Sequence, residues 1–152
     1  MSRRTRAREI VLQMLYQEDL NPQQPLDVGL RFLHGRLNDD LALIDFAKSL
    51  LQGVREHRQQ LDRELELTAR NWRLSRMSAT DRNVLRLGAY EILHTETPDR
   101  VAINEAIELA KRYGTHNSAQ FVNGVLDRLM HQKSESEPDS ASDGSASAPS
   151  TT

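Results

Sequence analysis

The chain has 152 residues and no cysteine, the size of one domain with a single hydrophobic core and no disulfide or thiolate chemistry. The missing cysteines fit a reducing compartment such as the cytoplasm, and no apolar run approaches the ~20 residues of a membrane span. The net charge of −2 is unevenly spread: Glu135, Glu137, Asp139 and Asp143 give the last nineteen residues −4, which leaves +2 on residues 1–133 and does not oppose a nucleic-acid partner.

Helical periodicity runs through the chain and strand patterns are nearly absent. The first helix is expected from about Arg4 to Leu20, with Ala7, Ile10, Val11, Met14 and Leu15 on one stripe. Asn21-Pro22 ends it. Pro25 opens a second helix to about Leu37, anchored by Val28, Leu30, Phe32 and Leu33. A third follows the acid pair Asp39-Asp40 and runs to about His57, with Leu41, Ile44, Leu50, Leu51 and Val54 inward. Leu61, Leu65 and Leu67 mark a weaker fourth helix.

Ser78 to Asp81 resembles a capping box and starts a fifth helix to about His94, with Val84, Leu85, Leu87, Gly88 and Ile92 inward. Thr97-Pro98 breaks the pattern. A sixth covers about Val101 to Tyr113, and Gly114 stands where a left-handed C-terminal cap is expected. The seventh begins at Asn117 or Ser118, either a good N-cap, and ends near His131 with Phe121, Val122, Val125, Leu126 and Leu129 inward. Gly124 in that helix suits a close helix crossing, and Asn123 and Asn104 suit polar contacts with a neighbouring backbone. The pattern is an all-α bundle of about seven helices. It ends in a segment, residues 134–152, too polar to offset the entropy of ordering it and expected to be a disordered tail.

Arg3, Arg4, Arg6 and Arg8 crowd the start of the first helix with no acid among them. A helix N-terminus is the positive end of its dipole, so cations there oppose the helix itself. A phosphate backbone would relieve that repulsion, and the guanidinium fork matches phosphate geometry. The plain alternative is a solvated, disordered start. At the GTHNS turn the seventh helix presents free N–H groups beside Asn117 and Ser118, where Asn117 suits a base edge. One turn on, Phe121 offers a stacking face if exposed, although periodicity alone assigns it to the core. The expected site is one continuous cradle joining the arginine tip to this helix entrance.

The five histidines are scattered and form no HExxH pair, and there is no GxxxxGK[ST] or GxGxxG loop. The pattern calls for no metal, no cofactor and no enzymatic activity. The stretches RRTRAREIVLQMLYQ, RNVLRLGAYEIL and VAINEAIELAKRYG followed by SAQFVNGVLDR resemble, in that order, the NusB family of bacterial transcription antitermination factors over about residues 3 to 130.

The resemblance implies a compact bundle of two small helical subdomains within residues 1–133. It implies a non-enzymatic protein that pairs with the ribosomal protein NusE, binds boxA-type single-stranded RNA of nascent rRNA transcripts and joins an antitermination complex on RNA polymerase. Carried onto this chain, it implies RNA contact by Arg4, Arg6, Arg8, Tyr16, Asn117, Ser118 and Phe121, and partner contact by Asp81 and Arg82. Thr5 stands where the family often has a further basic residue, which weakens contact, and Asn117 where relatives carry an acid, which eases phosphate approach. The competing expectation is a helical interaction module that acts as a homodimer without touching RNA.

Overall fold

The computed structural model describes residues 2–23 and 26–136. Among them it has seven α-helices and no strand: α1 (Arg3–Leu20), α2 (Leu26–Arg36), α3 (Leu41–Glu56), α4 (Arg58–Ala69), α5 (Ala79–His94), α6 (Asp99–Tyr113) and α7 (Ser118–Ser136), with one 3-10 turn at Leu74–Arg76. Side chains cap three of these helices. Ser2 accepts from the Thr5 N–H, Asp40 from Leu43 and Ser78 from Asp81, each meeting one of the four donors a helix start leaves unpaired.

Helix α5 is the axis of the molecule. Its residues Asn83 to Ile92 are buried without a break, the pattern of a helix enclosed on all sides. Helices α1 and α3 pack on it with α2 outside them, while α6 and α7 form a hairpin that covers it opposite and α4 bridges α5 and α7. The buried apolar side chains of all these helices make one core. The two groups of helices are therefore joined through α5. Two glycines permit the close crossings. A Cβ at Gly88 would lie 2.6 Å from Leu126 Cδ1 and 3.3 Å from Ala106 Cβ, and one at Gly53 would lie 2.0 Å from Tyr90 Cζ.

Several expectations change. Gly124 has no neighbour within 4 Å of such a Cβ, and Asn123 and Asn104 are exposed, so neither the crossing nor the buried polar contacts occur there. Gly114 is extended (φ −95°, ψ −165°), not left-handed. Its lack of a Cβ matters for space, since Ser118 Oγ would sit 2.4 Å away. Leu41 and Leu67 stand exposed, because Leu41 is the first residue of α3 and Leu67 turns away from the face that Leu61 and Leu65 bury. Helix α7 continues to Ser136, so the first three residues of the expected tail are helical. Residues 137–152 and the side chain of Val28 lie outside the described residues.

Candidate nucleic-acid interface

The first turn of α1 contains no acid and carries exposed Arg3, Arg4 and Arg6. Arg3 pairs with Asp40 of the α3 N-cap, and that contact, with the Leu43 N–H, holds the Asp40 carboxyl below its ordinary range. The Arg4 guanidinium lies 4.4 Å from the centre of the Phe46 ring, a cation–π contact that fixes its stem and leaves its donors outward. Arg6 reaches Glu9 at 3.7 Å.

Arg8 is a correction. Only 4% of it is exposed. Its Nε and Nη2 donate to the two oxygens of Glu91 at 2.7 and 2.8 Å, and Nη1 donates to Glu105 at 3.0 Å. Burial lowers the pKa of this guanidinium, and the two carboxylates outweigh that and raise it. With three of its five N–H donors given to carboxylates and the side chain buried, this fork is closed to phosphate. The signal in the sequence was a charged residue in phase with Leu12 and Leu15 on the buried face, together with two acids, Glu91 and Glu105, set in apolar stretches of α5 and α6.

Glu9 is buried as well and ties α1 to the end of α6. It accepts from Arg112 and, at 3.0 Å, from the Tyr113 hydroxyl. Burial and that carboxylate push the Tyr113 phenol up, so it stays protonated. Tyr113 and Tyr16 are each 39% exposed and face one groove of about 390 Å³, whose walls include Gln13, Phe32 and Arg36. The sequence pointed to Tyr16 and missed Tyr113, which reads there as the last residue of a helix.

Tyr113 leads into the turn before α7. There Asn117 is exposed and its carbonyl accepts the Phe121 N–H at 3.1 Å. Ser118 is a second correction. It is 1% exposed, and its hydroxyl accepts the Thr115 N–H at 2.9 Å, so it closes the turn instead of facing a ligand. Phe121 is half-buried, and its ring meets Trp72 edge-on with centroids 5.4 Å apart.

The two residues expected to meet a protein partner also differ. Arg82 is committed inward: it donates to Asp19 at 2.8 Å and to the Leu74 and Met77 carbonyls at 3.0 Å. Removing it would loosen the start of α5 before any interface was reached. Asp81 is half-buried, and its Oδ1 is buried with no hydrogen-bond partner among the described residues. Asp19 receives Arg82, Asn83, Arg86 and Arg58 together. Burial pushes its carboxyl up, but the hydrogen bonds and charges of Arg82, Asn83 and Arg86 outweigh that and hold it below its ordinary value.

The single cradle thus resolves into parts. Arg8 and Ser118 are interior. Arg3 and Arg4 lie toward α3, and Arg6 leads through Glu9 to Tyr113 and the α7 turn. Phe121 sits with Trp72. Among the described residues no cluster of His, Asp and Glu could hold a metal ion, and no helix is long and apolar enough to cross a membrane.

The NusB family profile matches residues 5–131. A transcription antitermination protein NusB of Anaeromyxobacter dehalogenans strain 2CP-1 is 48% identical over 128 residues, 84% of this chain and 90% of the relative. The protein of that name from Helicobacter hepaticus is 44% identical over 142 residues, 91% of this chain and 90% of its own. Among solved structures, NusB of T. maritima superposes with a TM-score of 0.76 at 37% identity, covering 87% of this chain and 92% of that one. A complex of the antitermination factors NusB and NusE with double-stranded RNA contains a chain with TM-score 0.77 at 24% identity, covering 87% and 98%. At that identity the second likeness concerns the fold.

Proposed function

The chain belongs to the NusB family, and from that premise we propose that it is a non-enzymatic, RNA-binding transcription antitermination factor of the bacterial cytoplasm. It works with NusE, binds boxA-type single-stranded RNA of nascent rRNA transcripts, and joins an antitermination complex on RNA polymerase. The observation that carries this reading is the first turn of α1. Its arginines stand outward at the positive end of the helix dipole, where they disfavour the helix and favour an anion. The exposed tyrosines on one groove and the exposed Asn117 extend a path on which bases can stack or pair.

In this reading Arg4 and Arg6 neutralise phosphates, Tyr16, Tyr113 and Phe121 face bases, and Asn117 meets a base edge. Asp81 is the residue offered to NusE.

The test is fluorescence anisotropy of a labelled boxA-type single strand across a salt series, with and without NusE. Each phosphate contact on a single strand adds about 0.7 to the slope of log K against log salt. The double variant Arg4→Ala, Arg6→Ala should therefore flatten the slope by about 1.4. An unchanged slope and affinity would refute the reading. A tight homodimer in light scattering, unmoved by RNA, would support the interaction module instead.

A further inference from the structure

We propose that Trp72, held out on the strained loop between α4 and α5, is a stacking platform that carries the RNA path beyond Phe121 with Arg70 and Arg73 as phosphate contacts. The proposal rests on the RNA-binding reading above and adds a stretch of surface that the sequence did not single out.

Trp72 is 56% exposed, although the indole is the side chain with most to gain from burial. The chain is built to keep it out. Helix α4 ends at Ala69. Arg70 then takes φ 40°, ψ −58°, a positive-φ, γ-turn-like geometry that a side chain other than glycine adopts only under strain. The Asn71 N–H turns back to the Ala69 carbonyl, and the Trp72 N–H reaches the same oxygen at 3.2 Å.

Both ends of this loop are pinned. Arg128 donates to the Thr68 carbonyl at 2.9 Å. On the far side Leu74 is buried, its N–H donates to Glu66 at 3.2 Å, and its carbonyl accepts Arg82 at 3.0 Å. A strained, pinned loop with its largest apolar side chain outward is a presented surface.

Charge selects the occupant. Residues 67–80 contain Arg70, Arg73 and Arg76 and no acid. None of the three arginines has an ion-pair partner among the described residues. Glu66 is tied to the Leu74 N–H and pairs with none of these arginines, and unpaired cations beside the exposed Trp72 ring fit a single strand, whose phosphates and unstacked bases alternate. The bases of a duplex are already stacked on each other, so double-stranded RNA gives Trp72 nothing to stack on.

The chain contains one tryptophan, so its emission reports this loop alone. The probe is an unlabelled boxA-type single strand of about 12 nucleotides, within the span such sites cover. The spectrum of Trp72→Phe is subtracted to remove any emission from NusE. Quenching of the indole should saturate with the midpoint that anisotropy gives, and a duplex of the same sequence should leave it unchanged. Trp72→Ala should weaken single-strand binding about 5- to 150-fold, the range one base–aromatic stack supports, while Trp72→Phe keeps most of it. Because more than half of Trp72 is exposed, Trp72→Phe should unfold thermally as the parent does, and Trp72→Ala should lose only the edge contact with Phe121.

Unaltered emission together with parental affinity in Trp72→Ala, while anisotropy still reports RNA binding, would overturn this proposal and spare the function. Indole emission that responds to NusE alone and not to RNA would make the loop a protein-contact surface and overturn it too. No RNA binding by anisotropy would overturn both.

Discussion

Arg8 is the residue on which sequence and structure part most sharply, and Arg8→Met tests the difference. The replacement keeps the apolar stem and removes the charge. It leaves Glu91, 1% exposed, without its bidentate partner. Breaking a buried ion pair from one side costs about 3–5 kcal/mol. Glu91 still accepts the Thr97 hydroxyl at 3.0 Å, and Glu105 the Thr5 hydroxyl at 2.6 Å, which places the loss near about 3 kcal/mol. A domain of this size has about 5–15 kcal/mol in all. With a urea slope of about 2 kcal/mol per molar, the unfolding midpoint should fall by about 1.5 M. The partner substitution Glu91→Met, made together with Arg8→Met, should recover most of it, because an apolar pair needs no counter-charge there. At native urea concentrations the salt slope of RNA binding should stay at the parental value. A parental urea midpoint combined with a slope flattened as in the Arg4, Arg6 variant would show that Arg8 faces phosphate and refute the argument.

Gly53→Ala should destabilise by about 1–3 kcal/mol, the usual cost of overpacking, since its Cβ would fall on the Tyr90 ring; adding Tyr90→Leu should return part of that in thermal unfolding. His94 lies 4.1 Å, ring to ring, from His57, and its other neighbours include Tyr90 and Gln60. Burial, then the charge of His57, lowers its pKa from 6.5. The folded state therefore holds that proton less firmly than the unfolded chain. Stability should decline as the pH drops below about 6.5, and His94→Gln should shallow the decline in urea titrations at several pH values. For Asp19 the sign is the same but the cause differs: hydrogen bonds and charges outweigh burial and lower its pKa, which gives stability that is present above about pH 3.9 and is lost on further acidification. Asp19→Asn should weaken the fold at neutral pH and narrow the gap to the parent in acid, as followed by circular dichroism.

Helix positions were legible because the apolar stripes of α1, α3, α5 and α7 are long and their caps are local. Ser78 and Asp40 cap through neighbours three residues away, a distance that sequence spacing displays. The site was less legible because its decisive contacts span the chain. Arg8 meets Glu91 and Glu105 across 83 and 97 residues, and its phase with Leu12 and Leu15 is the one local mark that separates it from Arg6. Ser118 read as a free helix start because the fold of the turn that uses its hydroxyl is set by Gly114 and Thr115. Trp72 falls between two helices, where periodicity gives no expectation. Its exposure depends on one unusual backbone conformation at Arg70.

The inward anchoring of Arg8 also sets the rotational phase of α1. With that guanidinium clamped between two neighbouring helices, the screw of the backbone leaves its predecessors little choice of azimuth: Arg4, one turn earlier, shares Phe46 with it at 4.4 and 5.2 Å, and Arg6 points away. The outward cations are thereby dealt to two flanks at a preset pitch, and on the proposed function a strand would dock with little reordering of the scaffold and correspondingly little loss of entropy.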